Sequence, residues 1–322
     1  MSPVRRLDRS PDFISGAATP RYLAVCLNPV IQNTLVFGAL AKGEVNRTKE
    51  YRLDASGKGI NTARILTQMG RDATYLTQLG GPTRDWFLAM CLAEGLRVCW
   101  AESNSDIRIC MTVIDRTDGS ATELVEEAAP VGAGTAERIH ELYGQELASC
   151  DAVLFSGTLA AGFNDDMMPS MVRLAAEAGK KIFLDISGRD LVASLPFRPI
   201  VAKPNLEELL RTYAPGRAAA MREDENAVRH FVAGVGAEYA GKWGAHLVVT
   251  RGAKSTLYWD GKGLCECPVP RIEVLNPIGS GDAFMAGLAA SLTEGASLEE
   301  AIAEGTRLGV RNASLLKPGS IL

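Results

Sequence analysis

The order of elements in this 322-residue chain predicts an α/β protein with a mostly parallel sheet covered by helices on both faces. Two observations predict the main body. From about Thr135 onward, stretches with helical spacing alternate regularly with short strand-like runs. Several of those runs are continuously apolar and read as fully buried strands. A third observation predicts a smaller sheet beside it: between about Val98 and Glu127 the periodicity changes from helical to strand-like.

In order, Tyr22–Leu27 is an apolar run that ends in Asn28-Pro29, a buried strand delivering a loop at its carboxyl end. A less regular stretch through Val36, Val45, Arg47 and Tyr51 leads to Ser56-Gly57-Lys58-Gly59. A helical pattern follows from Thr62 to Met69 and stops at Gly70. Tyr75–Leu79 is a strand, and Thr83 is placed to cap a helix over Trp86, Phe87, Met90 and Leu92. Ile107–Ile114, the turn Asp118-Gly119 and Ala121–Val125 read as a hairpin. Helices are expected near 135–148, 165–178, 205–213, 224–240, 281–293 and 298–313. Strands are expected near 152–155, 181–185, 199–202 and 246–250, with hairpin strands near 255–268. Ligands of such folds bind beyond the carboxyl ends of the strands.

Composition narrows the function. Apolar residues make up 47% and charged residues 22%, enough for a large core. A net charge of −4 provides no basic field for nucleic acid or an anionic membrane. No apolar run approaches the roughly 18 residues of a membrane span. Seven scattered cysteines suit reduced thiols in a cytoplasm better than a disulfide framework. Cys265 and Cys267 have no second pair at zinc-ligand spacing, and His140, His230 and His246 lie far apart. Residues 1–20 are polar and basic with three prolines, and are expected to form a flexible arm rather than a signal peptide.

Chemistry concentrates in Asn276-Pro277-Ile278-Gly279-Ser280-Gly281-Asp282. Successive N–H groups at the start of a helix form a cradle for an anion. A carboxylate beside that cradle is what phosphoryl transfer to a hydroxyl needs, with the N–H groups holding charge and Asp282 taking the proton. A helix N-terminus is also expected to keep Asp282 ionised. The plainer reading is a tight turn with a helix-capping aspartate. Ser56-Gly57-Lys58-Gly59 is not a P-loop, because Arg52 stands where that motif needs glycine and Gly59 where it needs Ser or Thr. It reads as a turn at which a small polar ligand meets backbone amides, with Lys58 and Asn61 nearby. Alternatively it is a helix entry with a solvated lysine.

With both glycine sites identified, the chain resembles the ribokinase-like (PfkB) sugar kinases, in the branch of 1-phosphofructokinase and tagatose-6-phosphate kinase. The resembling segments occur in family order: Asn28-Pro29; Gly43–Arg47; Ser56–Asn61; Arg108; Ser156–Leu159; Lys203–Glu208; Thr250–Ala253; Gly279–Asp282. The resemblance implies a Rossmann-like three-layer α/β/α fold over residues 21–322. It also implies a small β-sheet lid, made from segments about 32–55 and 98–128. It implies ATP as phosphoryl donor and Mg²⁺ as cofactor, with Asp282 as general base and Gly279, Ser280 and Gly281 as anion hole. Lys203, Asn205, Glu208, Thr250, Gly252 and Asn312 would serve the nucleotide, and Glu208 the metal through water. Asn205 and Glu208 equally read as an N-cap with its capping-box partner. Gln32, Arg47, Gly57, Lys58, Asn61 and Arg108 would face the acceptor. Arg47 and Arg108 favour an acceptor that already carries phosphate, since a guanidinium matches phosphate bidentately. Open strand edges in the lid, with the resemblance, point to a homodimer.

Four positions depart from the family pattern. Gln32 stands where an aspartate usually binds sugar hydroxyls, and Ser56 replaces the first of two glycines, which would narrow the approach. Ala160 replaces a proline, and Asn276-Pro277-Ile278 replaces the commoner polar-small-Val lead-in. A kinase for an unphosphorylated sugar or nucleoside, and a non-catalytic sugar-phosphate sensor, are the alternative readings.

Overall fold

The backbone alternates strands and helices so that the strands collect into one sheet. In the computed structural model, which describes residues 6–7 and 19–322, that sheet has ten strands. Chain order gives β1 (Arg6–Leu7), β2 (Arg21–Val25), β3 (Val30–Phe37), β4 (Glu50–Ser56), β5 (Asp72–Leu79), β6 (Arg97–Glu102), β7 (Arg108–Asp115) and β8 (Ser120–Leu124). These are followed by β9 (Ala152–Ser156), β10 (Lys181–Asp185), β11 (Val201–Ala202), β12 (His246–Arg251), β13 (Lys254–Trp259) and β14 (Leu264–Cys267). The large sheet runs β1-β6-β5-β2-β9-β10-β11-β12-β13-β14. From β6 to β12 the pairing is parallel throughout, and only the two edges are antiparallel. The expected arm at residues 1–20 falls largely outside the described residues; within it, Arg6–Leu7 pairs with β6.

Side chains of successive strand residues point to opposite faces, and each face finds its own helices. On one face Val153 and Phe155 of β9 and Ile182 and Leu184 of β10 pack with α3 (Thr135–Leu147), α4 (Met167–Glu177), α5 (Gly188–Ser194), α6 (Leu206–Tyr213) and α8 (Glu225–Trp243). On the other, Ala152 and Leu154 of β9 and Phe183 of β10 pack with α1 (Lys58–Gln68), α9 (Ser280–Thr293) and α10 (Leu298–Ala313). Both faces being apolar explains why the central strands carry no alternation.

A separate four-stranded sheet, β4-β3-β7-β8, stands beside this body as a lid, with β3 and β7 parallel. Its base is anchored by Ile31 and Ala55, which pack with Phe87 and Cys91 of α2 (Arg84–Ala93). Its second segment begins at Arg108 rather than near residue 98, because β6 hydrogen-bonds into the large sheet beside β5.

Two further local expectations change. Helix α1 starts at Lys58, not Thr62: Gly57 adopts φ 108°, which lets β4 turn straight into the helix. Thr83 precedes α2, but its side chain makes no capping hydrogen bond. Short α5 and α7 (Ala218–Arg222) lie in stretches too brief for a periodic signal.

Candidate active site

The carboxyl ends of β10, β11 and β12 open toward the lid, and a cleft of about 410 Å³ lies between them. Its wall includes Gln32, Gly57, Lys58, Asn61, Arg108, Lys203, Asn205, Glu208, Thr250, Gly279, Gly281 and Asp282. Twelve of the sixteen site residues expected from the sequence are thus brought together. The other four, Arg47, Gly252, Ser280 and Asn312, do not line it.

Asp282 is the third residue of α9 and is buried. Asn61 Nδ2 donates to its Oδ2 at 2.8 Å. Burial, then the charge of Asp185, raise the Asp282 carboxyl to about 6 against the opposing pull of Lys58, Asn61 and Lys203. At about 6 the carboxyl is still mostly ionised at neutral pH, but burial and Asp185 move it well above its ordinary value at this helix N-terminus. The dipole is a partial charge of about half a unit, whereas desolvation and a second buried carboxylate act on this group directly.

Gly279 begins the loop-to-helix turn with φ 84°, and a Cβ there would lie 2.2 Å from the backbone nitrogen of Gly319. Only glycine satisfies both the positive φ and that close approach. Within the anticipated anion hole, Ser280 N–H already donates to Pro277 O, and Ser280 Oγ accepts from Asn312 Nδ2. Gly281 and Asp282 stand in the first turn, where N–H groups lack intrahelical acceptors. Asn312 is fully buried behind the loop. It also donates to Ile278 O and accepts from Ser320 N–H, so it braces the loop instead of facing the cleft.

Asp185, which the motif reading did not single out, organises the charged floor. Lys58 Nζ lies 3.1 Å from its Oδ1 and Lys203 Nζ 3.3 Å from its Oδ2. Burial would raise this carboxyl, but Lys203 and Lys58 outweigh it and hold Asp185 below its ordinary value. Lys58 also reaches Glu208 Oε1 at 2.9 Å. It is therefore an ion-paired lysine, its side chain 32% exposed: desolvation opposes its charge, yet Asp185 and Glu208 keep its pKa raised. Asp185 had a sequence signal after all, as an acid at the carboxyl end of an apolar strand.

Asn205 and Glu208 form a complete capping box at the start of α6, Asn205 Oδ1 accepting from Glu208 N–H and Glu208 Oε2 from Asn205 N–H. Each oxygen of Glu208 thus carries a donor, Lys58 Nζ on Oε1 and Asn205 N–H on Oε2. Among the described residues, no cluster of three or more His, Cys, Asp or Glu could hold a metal by itself. Thr250 lines the cleft, whereas Gly252 takes φ 61° in the β12–β13 turn.

On the lid side, Arg108 donates to Glu126 O at 3.3 Å, while its buried Nε has no hydrogen-bond partner among the described residues. Gln32 is buried and donates through Nε2 to Thr112 Oγ1 at 2.9 Å. The hydroxyl of Ser56 donates to Asn61 Oδ1 at 3.2 Å. Arg47 is exposed on the loop joining β3 to β4. The cleft end of these strands is the Val30–Ser56 pair and the loop lies beyond the Val36–Glu50 pair, so Arg47 sits at the opposite end of the lid.

A family model described as pfkB family carbohydrate kinase matches residues 24–319. Among solved structures, the chain is 22% identical to phosphofructokinase-2 from Escherichia coli in complex with substrates and products. That comparison covers 91% of this chain and 93% of the other, with a TM-score of 0.78. The tetrameric inhibited form of the same enzyme gives 22% identity, 91% and 94% coverage, and a TM-score of 0.76. A protein from Thermotoga maritima described as a possible 1-phosphofructokinase gives 19% identity, 92% and 93% coverage, and a TM-score of 0.80.

Proposed function

This chain belongs to the pfkB family of carbohydrate kinases, ATP-dependent sugar kinases, and on that footing we propose that it phosphorylates a hydroxyl of a sugar phosphate of the fructose 1-phosphate or tagatose 6-phosphate kind. The observation that carries this reading is the pairing, in one cleft, of the Asn61-held carboxylate of Asp282 with the unpartnered Nε of Arg108. A buried guanidinium nitrogen without an acceptor is costly unless a ligand supplies one.

In this reading the acceptor hydroxyl lies against Asp282, which takes its proton as the oxygen attacks the γ-phosphorus of ATP. The bond from that phosphorus to the bridging oxygen breaks, and ADP leaves. The N–H groups at the start of α9 receive the charge on the moving phosphoryl group. Lys203, Asn205 and Thr250 attend the nucleotide, and Lys58 holds Glu208 and Asp185 in place beside it. Bound Mg²⁺ would neutralise phosphate charge, with Glu208 reaching it through water. The lid keeps water out so that ATP is not hydrolysed.

The test is ADP release with Mg-ATP across fructose 1-phosphate, tagatose 6-phosphate, fructose 6-phosphate and the free sugars. Turnover confined to phosphorylated acceptors, and lost in Asp282→Ala, is the expected result. A free sugar or nucleoside is the second reading. Glu123 favours it: this carboxylate lines the same cleft and stands in the electrostatic field of Arg108, where it would repel a phosphate. Turnover of free sugars alone would select it.

The outward face of the lid carries Leu53, Asn33, Met111 and Leu124 in one row across all four strands, with Tyr51 exposed alongside. The exposed Leu53, Met111, Leu124 and Tyr51 of this face support association of two copies through the lid, in keeping with the tetrameric form of the E. coli enzyme. Sedimentation of Met111→Lys against the unaltered protein tests it. A cytoplasmic setting is supported by seven free cysteines, five of them buried.

A further inference from the structure

Arg64 is the largest fully buried side chain among the described residues, only 1% exposed, and lies one turn after Asn61 on α1. Its guanidinium gathers acceptors from four parts of the chain. Nε donates to Glu94 Oε2 at 2.6 Å and NH2 to Ala55 O, at the foot of the lid, at 2.5 Å. NH1 donates to Asn61 Oδ1 at 2.9 Å and lies 3.5 Å from the carbonyls of Pro318 and Gly319. Lys317 holds Glu94 from the other side at 2.7 Å.

We propose that Arg64 is a positioning residue for Asp282, acting by fixing which way the Asn61 side-chain amide points. An asparagine amide offers an acceptor at one end and donors at the other. A guanidinium only donates, so the Asn61 oxygen must face Arg64, and Nδ2 must then face Asp282. Ser56, whose hydroxyl also reaches Asn61 Oδ1, cannot decide this alone, because a hydroxyl both donates and accepts. Gly319 blocks sideways escape, since a Cβ on it would lie 2.3 Å from Asn61 Cγ. The consequence is that one oxygen of Asp282 always receives a donor, which favours its ionised, proton-accepting form, and the other is left for the acceptor hydroxyl. With Arg64 removed, the amide is free to rotate and set its oxygen against the carboxylate, which favours the protonated acid.

This inference rests on Asp282 being the base. The other groups bearing on that carboxylate are Asp185, Lys58, Lys203 and, more weakly, Cys26, and none is altered in the test. The pH dependence of kcat/KM is measured for wild type, Arg64→Met, Asn61→Ala and the double variant, with the acceptor identified by the substrate panel. The Asp282 carboxylate is followed independently by infrared difference spectroscopy against Asp282→Asn. Arg64→Met is expected to move the acid limb, and the carboxylate titration, upward by about one pH unit. Asn61→Ala is expected to do the same, and the double variant to add nothing further. Should Arg64→Met fail to fold, Arg64→Lys carries the same test. It keeps the buried charge beside Glu94 but lacks the second nitrogen that reaches Asn61. An unmoved titration in a folded Arg64 variant, or shifts that add in the double variant, would overturn the proposal. Full turnover in Asp282→Asn would overturn the reading of the base instead, so the two failures are distinguishable.

Discussion

Asp185 and Asp282 are both buried at the floor of one cleft, yet their acidities diverge: Asp185 is held below the ordinary carboxylate value and Asp282 is raised to about 6. Lys58 and Lys203 each grip one oxygen of Asp185, so it stays charged, and that fixed charge in turn adds to burial in raising Asp282. Two carboxylates pushed apart in this way suit different tasks, one a permanent charge and the other a group that takes up a proton near neutrality.

Asp282→Asn is expected to lower kcat by about 10²–10⁴, the usual worth of a positioned general base, while ATP binding measured by calorimetry persists. In the unaltered enzyme kcat/KM is expected to fall as pH drops through about 6. A flat profile down to pH 5 would remove Asp282 from the proton transfer.

The same variant carries a stability signature. A folded-state pKa above the unfolded value means that the stabilisation is present below about 4 and lost as pH rises through about 6. A shift of two units corresponds to roughly 3 kcal/mol. Asp282→Asn is therefore expected to be more stable than wild type by up to that amount at pH 7.5, with the difference gone near pH 4. Paired denaturant melts at the two pH values measure it.

Asp185→Asn is expected to act in the opposite direction on the titration. Removing its charge relieves Asp282 and frees Lys58 and Lys203 to act on it, so the acid limb of kcat/KM should move to lower pH. It also leaves buried lysine charge unpaired, for an expected loss of about 3–5 kcal/mol in urea unfolding.

Arg108→Ala is expected to raise KM for a phosphorylated acceptor by about 10- to 150-fold, the worth of a charged hydrogen bond of roughly 1.5–3 kcal/mol. KM for ATP should stay put. An unchanged acceptor KM would move the phosphate away from Arg108 and strengthen the free-sugar reading.

Gly319→Ala probes how the end of the chain supports the site. Position 319 has φ 60°, and the new methyl would press on Asn61. A loss of about 1–3 kcal/mol is expected from the strained backbone alone, accompanied by a fall in kcat larger than any change in KM for ATP.

Local chemistry was legible in the sequence wherever it depends on neighbours a few residues apart. The buried strands, the Gly279–Asp282 turn and the Asn205–Glu208 capping box all follow from spacing along the chain, because periodicity, turns and caps are short-range. What the tertiary structure alone decided is which distant groups meet. Lys58 finds Asp185 and Glu208 across 127 and 150 positions, and Asn61 finds Asp282 across 221. Arg64 and Asp185 look like ordinary helix and strand-end residues until those elements pack. The same packing carries Arg47 to the far end of the lid and turns Asn312 inward. It also sets the acidity of Asp282, since desolvation and neighbouring charge exist only once the chain has closed around that carboxylate.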